Sequence, residues 1–348
     1  MAERIESSVQ NLWQEVRELS LGTPPHIDHL PTPPTPLQFL RHYVTPNKPC
    51  LISAAVPHWP ALSLWRSATY LRTTLSTTSV SLHLTPTGKA DSLAPHPTSP
   101  SALCFASAHQ QNDCFRSEYG ALAGDCEEHI PWASEALGCS PEAVNLWVGN
   151  HLSETSFHKD HYENLYVVIT GEKRFLLLPP TDVHRMYIRE YPAAQYCYHQ
   201  DSGECTLELE DPIACVPWCS VDPYPLPEEK QREVEKFPLY FNGPKPFEVT
   251  VKAGEMLYLP SMWFHHVRQS PDETGLTIAI NYWYDMQFDI KYAYFKFLQS
   301  ISHSLSNDLE WCETRNVESS FDRSFNNSGD ESDIIVSQAD GDTSNSEE

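Results

Sequence analysis

The chain is short of glycine and of basic residues. Thirteen glycines stand against 29 prolines in 348 residues. Proline fixes φ and removes a backbone donor, so this balance favours short strands and rigid connections over long helices. Lysine and arginine total 23 against 47 aspartates and glutamates, a formal net charge of −24. A field of that sign repels nucleic acid and acidic membrane surfaces and attracts basic partners. From Asp308 onward twelve acidic residues face only Arg315 and Arg323. No stretch approaches the roughly 20 apolar residues of a membrane span, and no apolar run follows a basic N-terminal segment. The ten cysteines are therefore expected as free thiols in a reducing compartment, cytoplasm or nucleus. Cys215 and Cys219 have no matching second pair at zinc-finger spacing, so no metal knuckle is expected there.

What is present allows a sizeable core: 40% of residues are hydrophobic and 11% aromatic. Apolar residues Ile5, Val9, Leu12, Trp13, Val16 and Leu19 recur at helical spacing over residues 4–20, and Gly22 ends the pattern. The proline-rich run 24–36 reads as an extended connector. A short helix over 37–43, a strand over 49–53, a turn and helix to Leu75, and a weak strand over 80–84 follow. Residues 91–109 show no period of 2 or 3.6 and read as a long surface loop, uncommon inside a compact domain. After a helical turn at 131–137 the pattern becomes strand after strand: 146–148, 165–169, 174–178, 248–251, 256–259, 264–268 and 276–284. Short strands without intervening helices predict a mainly β fold with flanking helices, a double-stranded β-helix or jelly roll. The expected organisation is an N-terminal flank over 1–130 and a core over 131–284 with an acidic insertion at 200–246. A helix over 285–305 then offers a surface for the core or for a second copy of the chain, and a disordered acidic tail covers 306–348.

The core is organised around residues 147–180. His158 and Asp160 lie two apart in a strand-like stretch, so both side chains point to one face. His161 and Glu163 share the opposite face, and one pair is expected in the lumen. Asn164 and Tyr166 have the parity of His158 and Asp160, whereas Leu165, Val167 and Ile169 do not. A metal cup needs polar neighbours, which favours His158 and Asp160. A further histidine comes from His265 or His266, between which parity does not choose. Two histidines and a carboxylate on a rigid scaffold leave half of an octahedral ion open, an arrangement suited to ferrous iron in oxygenases. Lys173 follows a Thr170-Gly171 turn and can reach the same cavity. A buried ammonium is costly unless paired. A dicarboxylate would pair it, helped by the hydroxyls of Thr155 and Tyr166; the other reading is an exposed lysine at a strand edge.

The stretches HKDHYENLYVVITGEKRFLLLPP, AGEMLYLPSMWFHHVRQS and AINYWYD resemble the JmjC-domain, iron- and 2-oxoglutarate-dependent oxygenases. PNKPCLIS, HWPAL, TPTGKADS and IPWASEAL extend the similarity over roughly residues 4–303. The resemblance implies a cupin-like jelly roll with iron held by His158, Asp160 and His265, the histidine of an H-x-V sequence. It implies 2-oxoglutarate held by Lys173, Thr155 and Tyr166, with Asn164 and Asn281 lining the pocket and dioxygen as the other cosubstrate. Within the family the likeness is to a protein (3S)-lysyl hydroxylase acting on developmentally regulated GTP-binding proteins, so a lysine-bearing protein is the implied partner. The chain departs from the family pattern at Ser107-Ala108-His109-Gln110-Gln111, where the family carries Tyr-x-Gln-x-Gln. Either a pocket tyrosine is lost, or residues 91–109 reflect a mistaken exon boundary. The alternatives are a demethylase or peptidase of histone tails on the same iron site, a non-catalytic cupin-like binding module, and a zinc hydrolase, against which Lys173 argues.

Overall fold

The computed structural model of the chain describes residues 2–22, 25–81, 83–107 and 112–313, without the side chains at 2–10, 90, 100 and 302–313. Helix α1 (Ala2–Leu21) precedes two short parallel strands, β1 (Asp28–Leu30) and β2 (Cys50–Ile52). Between those strands lie α2 (Pro36–Phe39) and a π-helical turn (Leu40–Val44). The entry to α2 is fixed by a capping box: Gln38 N donates to Thr35 Oγ1, Thr35 N donates to Gln38 Oε1, and Pro36 opens the helix. Helices α3 (Ala61–Leu64) and α4 (Ala68–Thr74) follow, then β3 (Lys89–Ala90), β4 (Ser92–His96) and β5 (Ser99–Ser107). Next come α5 (Cys114–Ser117), α6 (Pro131–Leu137), β6 (Ala143–Gly149), β7 (Glu154–His158), β8 (Tyr162–Thr170) and β9 (Glu172–Leu178). An inserted region holds β10 (Ile188–His199), β11 (Glu204–Leu209), β12 (Cys215–Cys219), α7 (Lys230–Lys236) and α8 (Pro238–Phe241). Strands β13 (Phe247–Lys252), β14 (Met256–Leu259), β15 (Phe264–Ser270) and β16 (Thr277–Asp285) lead to α9 (Ile290–Glu313).

Two sheets face one another as a jelly roll. The first runs β1-β2-β14-β8-β16-β6 and the second β13-β9-β15-β7-β3. Their inner faces meet in a core containing Tyr166, Val168, Phe175, Leu177, Val251, Leu257 and Ala279. Leu165, Val167 and Ile169, the alternate residues of β8, instead pack outward against Phe39, Tyr43, Trp59 and Trp65 of the N-terminal flank. On the second sheet, Phe157, Leu178 and Phe264 face outward onto Trp13, Val183, Phe237 and Leu298. Each buried apolar side chain contributes roughly 1.5–3 kcal/mol, against about 0–1 for a surface ion pair. The apolar alternation therefore decides which face of β8 is the lumen. That is the face predicted for Asn164 and Tyr166.

Several expectations are corrected. Residues 91–109 are not a patternless loop: β4 and β5 form an antiparallel hairpin, and β5 pairs in parallel with β10. The hairpin carries three prolines and small residues, so its alternation is hidden, yet Ala94, Cys104, Phe105 and Ala106 are buried. With β10, β11 and β12 it makes a third sheet, so the insertion is structured and begins ahead of residue 200. The Gln-rich end of the segment, residues 108–111, lies outside the described residues, as does the acidic tail from 314. No strand forms over 80–84 among the described residues. Helix α9 starts later and extends further than expected, and of its predicted stripe Leu298 is buried while Ile290 and Phe297 stay exposed. No helix among the described residues is long and apolar enough to cross a membrane.

The buried stripe of α1 also differs from the one the pattern implied. Trp13, Arg17 and Leu21 are buried, at steps of four, whereas Leu12 and Leu19 are exposed; Ile5 and Val9 lie outside the described side chains. Arg17 sits on the apolar stripe because its guanidinium donates to Asp182 at 2.6 Å and lies over the Phe247 ring. Leu21 reaches the lumen core. Replacing Leu21 by alanine is expected to cost about 2–5 kcal/mol and Leu19→Ala less than about 0.5; chemical unfolding midpoints of the two variants measure the difference.

Candidate metal centre

The second sheet brings three ligand-bearing side chains together. His158 at the end of β7 is the cross-strand partner of His265 on β15. Their rings stand 4.0 Å apart, centroid to centroid. Asp160, two residues past His158, places its carboxylate oxygens 3.9 Å from His158 Nε2 and 3.6 Å from His265 Nε2. One ligand atom from each residue falls within 4.8 Å of the others, the sole such His/Cys/Asp/Glu group among the described residues. Both imidazoles are oriented by the backbone: His158 Nδ1 donates to the Ser156 carbonyl at 2.8 Å and His265 Nδ1 to the Trp263 carbonyl at 3.1 Å. These bonds put the ring proton on Nδ1 and aim the Nε2 lone pair at the centre, the outer support that histidine ligands of metals require. Burial, and then the neighbouring His158, hold the His265 imidazolium down to about 3 although Asp160 opposes the shift. Its imidazole is therefore neutral at physiological pH, the form that ligates. The donor set fits a divalent transition ion.

The competing residues take other places. His266 faces outward and pairs with Glu154 at 3.1 Å. Glu163 is buried behind the first sheet, where the Tyr258 hydroxyl (2.6 Å) and the Ser261 amide and hydroxyl donate to it. His161 is exposed near Phe288. Cys215 is exposed, and Cys219 is buried with its thiol on the Met186 carbonyl.

Beside the triad lies a cavity of about 360 Å³ lined by Trp147, Ser153, Thr155, Lys173, Val267 and Gln269, among others. Strict alternation would put Thr155 and His158 on opposite faces. A bulge removes the conflict: His265 pairs with His158 while Val267 pairs with Thr155, so two steps on β15 match three on β7. Thr155 and His158 thereby both reach the lumen side. Lys173 enters it from β9 just after Gly171, a turn residue with φ +70°, where a Cβ would collide with the Ser270 carbonyl and the Thr277 hydroxyl. The Lys173 ammonium lies 5.5 Å from the Trp147 ring and 5.4 Å from that of Tyr166. No carboxylate among the described residues pairs with it, and burial alone pushes it down to about 7. Asn281 accepts from Trp147 Nε1 (2.7 Å) and donates to Asn164 (3.1 Å), so two buried asparagines and the half-buried Trp147 form one chain near the ammonium. Sequence reasoning passed over Trp147 as a site residue and Trp218 altogether. The β12 residue Trp218 stacks on His158, with 5° between their planes. A tryptophan alternating with valine in a proline-rich insertion was the available signal.

The fold and this site are those of the cupin-like JmjC oxygenases. The Cupin-like domain profile matches residues 36–107 and 96–290, so the chain belongs to that family. It is 59% identical over 341 residues to Lysine-specific demethylase JMJ32 of Arabidopsis thaliana, covering 90% of this chain and 97% of the relative. It is 38% identical over 335 residues to the human Bifunctional peptidase and (3S)-lysyl hydroxylase JMJD7, covering 87% and 99%. JmjC domain-containing protein E of Dictyostelium discoideum is 35% identical over 309 residues, covering 76% and 86%.

The lone ammonium has a measurable consequence. Its folded pKa, about 7, lies below the ordinary lysine value, so between those values the unfolded chain binds more protons and stability rises with pH. Lys173→Met is expected to stabilise the ligand-free protein at pH 7 by about 1–4 kcal/mol and to flatten the rise above pH 7. Thermal unfolding across pH measures both.

Proposed function

We propose that this chain is an Fe(II)- and 2-oxoglutarate-dependent oxygenase that hydroxylates a lysine side chain in a protein substrate. One observation carries the reading: a carboxylate and two backbone-oriented imidazoles belong to the same sheet as a buried ammonium, opposite Gln269 of the His265 strand, that has no carboxylate partner among the described residues. His158, Asp160 and His265 would hold ferrous iron on one face. Lys173, with the Thr155 and Tyr166 hydroxyls, would take the far carboxylate of 2-oxoglutarate, and Asn164 and Asn281 would line its pocket. Iron and 2-oxoglutarate, when bound, supply the oxidation that inserts one atom of dioxygen into a C–H bond, the cosubstrate leaving as succinate and carbon dioxide. The residues of the chain orient these groups and exclude water, with Trp147, Tyr166 and Val267 as the apolar walls.

Two of these three relatives carry names that specify action on lysine, and the acidity of the chain suits a basic partner such as a developmentally regulated GTP-binding protein. A second reading, lysine demethylation, is favoured by the name of the 59% identical relative. Both use the same site, so the product mass decides. Incubation with Fe(II), 2-oxoglutarate and either a GTP-binding protein of that class or a methylated histone tail should give succinate and a substrate one oxygen heavier. Loss of a methyl carbon supports the second reading, and a cut chain supports peptidase action. Asp160→Ala is expected to abolish metal uptake and succinate formation together. His266→Gln is expected to keep both, because that side chain points away from the centre.

A further inference from the structure

Trp218 and Ser156 have no part in holding metal or cosubstrate, yet they adjoin the triad. The metal centre is open on one side: the His158 and Asp160 side chains are each 20% exposed and that of His265 is 6% exposed. Trp218, partly exposed, stands beside His158, its indole parallel to the imidazole at 6.0 Å between centroids. The indole is fixed in two directions. Its Nε1 donates to Ser156 Oγ at 2.9 Å, and Phe105 of the hairpin packs on it at 4.3 Å. Ser156 donates its hydroxyl to the Asp91 carbonyl, while its own carbonyl orients His158. One serine thus joins a triad residue, the hairpin and the inserted strand. A second tie secures the same edge, where Lys89 pairs with Asp222 beyond β12 (3.0 Å) and with Glu154 on β7 (3.8 Å). The third sheet is therefore pinned to β7 on both sides of Trp218.

We propose that Trp218 is the surface on which the substrate side chain lies beside the metal, and that Ser156 is its positioning residue. This rests on the oxygenase reading. Oxidation of a C–H bond needs an alkyl chain held close to the ion, and an immobilised indole offers a large apolar face at little entropic cost. Arg189 is opposite Trp218 in the ladder, so no carboxylate takes that position to receive an ammonium. The wall thus selects the unbranched methylene stem of a lysine rather than its charge.

The test uses the full chain loaded with Mn(II) and N-oxalylglycine, an inert cosubstrate analogue. Short peptides with one central lysine, norleucine or alanine are titrated by calorimetry. Tryptophan fluorescence is read as wild type minus Trp218→Phe. Lysine and norleucine peptides are expected to bind alike and about tenfold tighter than the alanine peptide, the worth of two buried methylenes. They alone should change the Trp218 signal. Trp218→Ala is expected to lose the discrimination, and Ser156→Ala to weaken it, with Mn(II) uptake unchanged in both. Equal discrimination in Trp218→Ala, or a lysine peptide favoured over norleucine, overturns the proposal while leaving the oxygenase reading intact. A wild-type chain that takes up no metal overturns both.

Discussion

The arrangement of the site depends on one cross-strand pair, His158 opposite His265. Both side chains hang from neighbouring strands of one ladder, so their separation is set by backbone hydrogen bonds and not by loop conformation. The carbonyls of Ser156 and Trp263, each two residues upstream, fix the ring tautomers. The bulge beside this pair turns Thr155 to the lumen as well. Ser156, exposed to neither role in the ladder, is left to anchor the third sheet through Trp218 and Asp91. One triad histidine, the Thr155 hydroxyl that lines the cavity and the serine that anchors the inserted sheet thus share a five-residue strand. A substitution that shifted its register by one would move all of them to the wrong face.

Lys173 imposes the second constraint. The chain carries 47 acidic residues, yet among the described residues none pairs with this ammonium. Instead two aromatic faces border it at 5.4 and 5.5 Å. Aromatic contact offsets only part of the desolvation of a buried cation. The ligand-free fold therefore carries a cost that, on the proposed reading, an incoming carboxylate would remove, with stability yielded for binding. The helical flank on the first sheet and the packing of α1, α8 and α9 on the second supply the apolar burial that tolerates it.

Much of this was legible from residue types. Leu165, Val167 and Ile169 alternate with Asn164, Tyr166 and Val168, and that contrast placed the lumen face of β8 correctly. The pair His158 and Asp160 followed from the same parity. His265 and His266 could not be separated that way, because both faces of the second sheet are covered and both histidines are buried. The bulge at Thr155 was invisible for a related reason: it breaks the period that sequence reading assumes. The hairpin at 92–107 was hidden by Pro95, Pro97 and Pro100 among small residues, where tertiary pairing with β10 overrides weak local preference. In α1 a charged residue occupies the buried stripe, since Arg17 is neutralised by Asp182, and hydrophobic spacing found Trp13 but missed Arg17 and Leu21 and included the exposed Leu12 and Leu19.

The central claim is that the triad and Lys173 form one site in which a metal and a dicarboxylate bind together. Calorimetric titration of 2-oxoglutarate into Mn(II)-loaded protein, in buffers of different ionisation heat near pH 8, tests it most directly. Burial holds Lys173 down to about 7, so it is mostly neutral at that pH, and a bound carboxylate raises its pKa. The account predicts one site per chain, affinity that needs the metal, and uptake of close to one proton, lost in Lys173→Met. Binding of equal strength without metal, or with no proton uptake in the wild type, would contradict it.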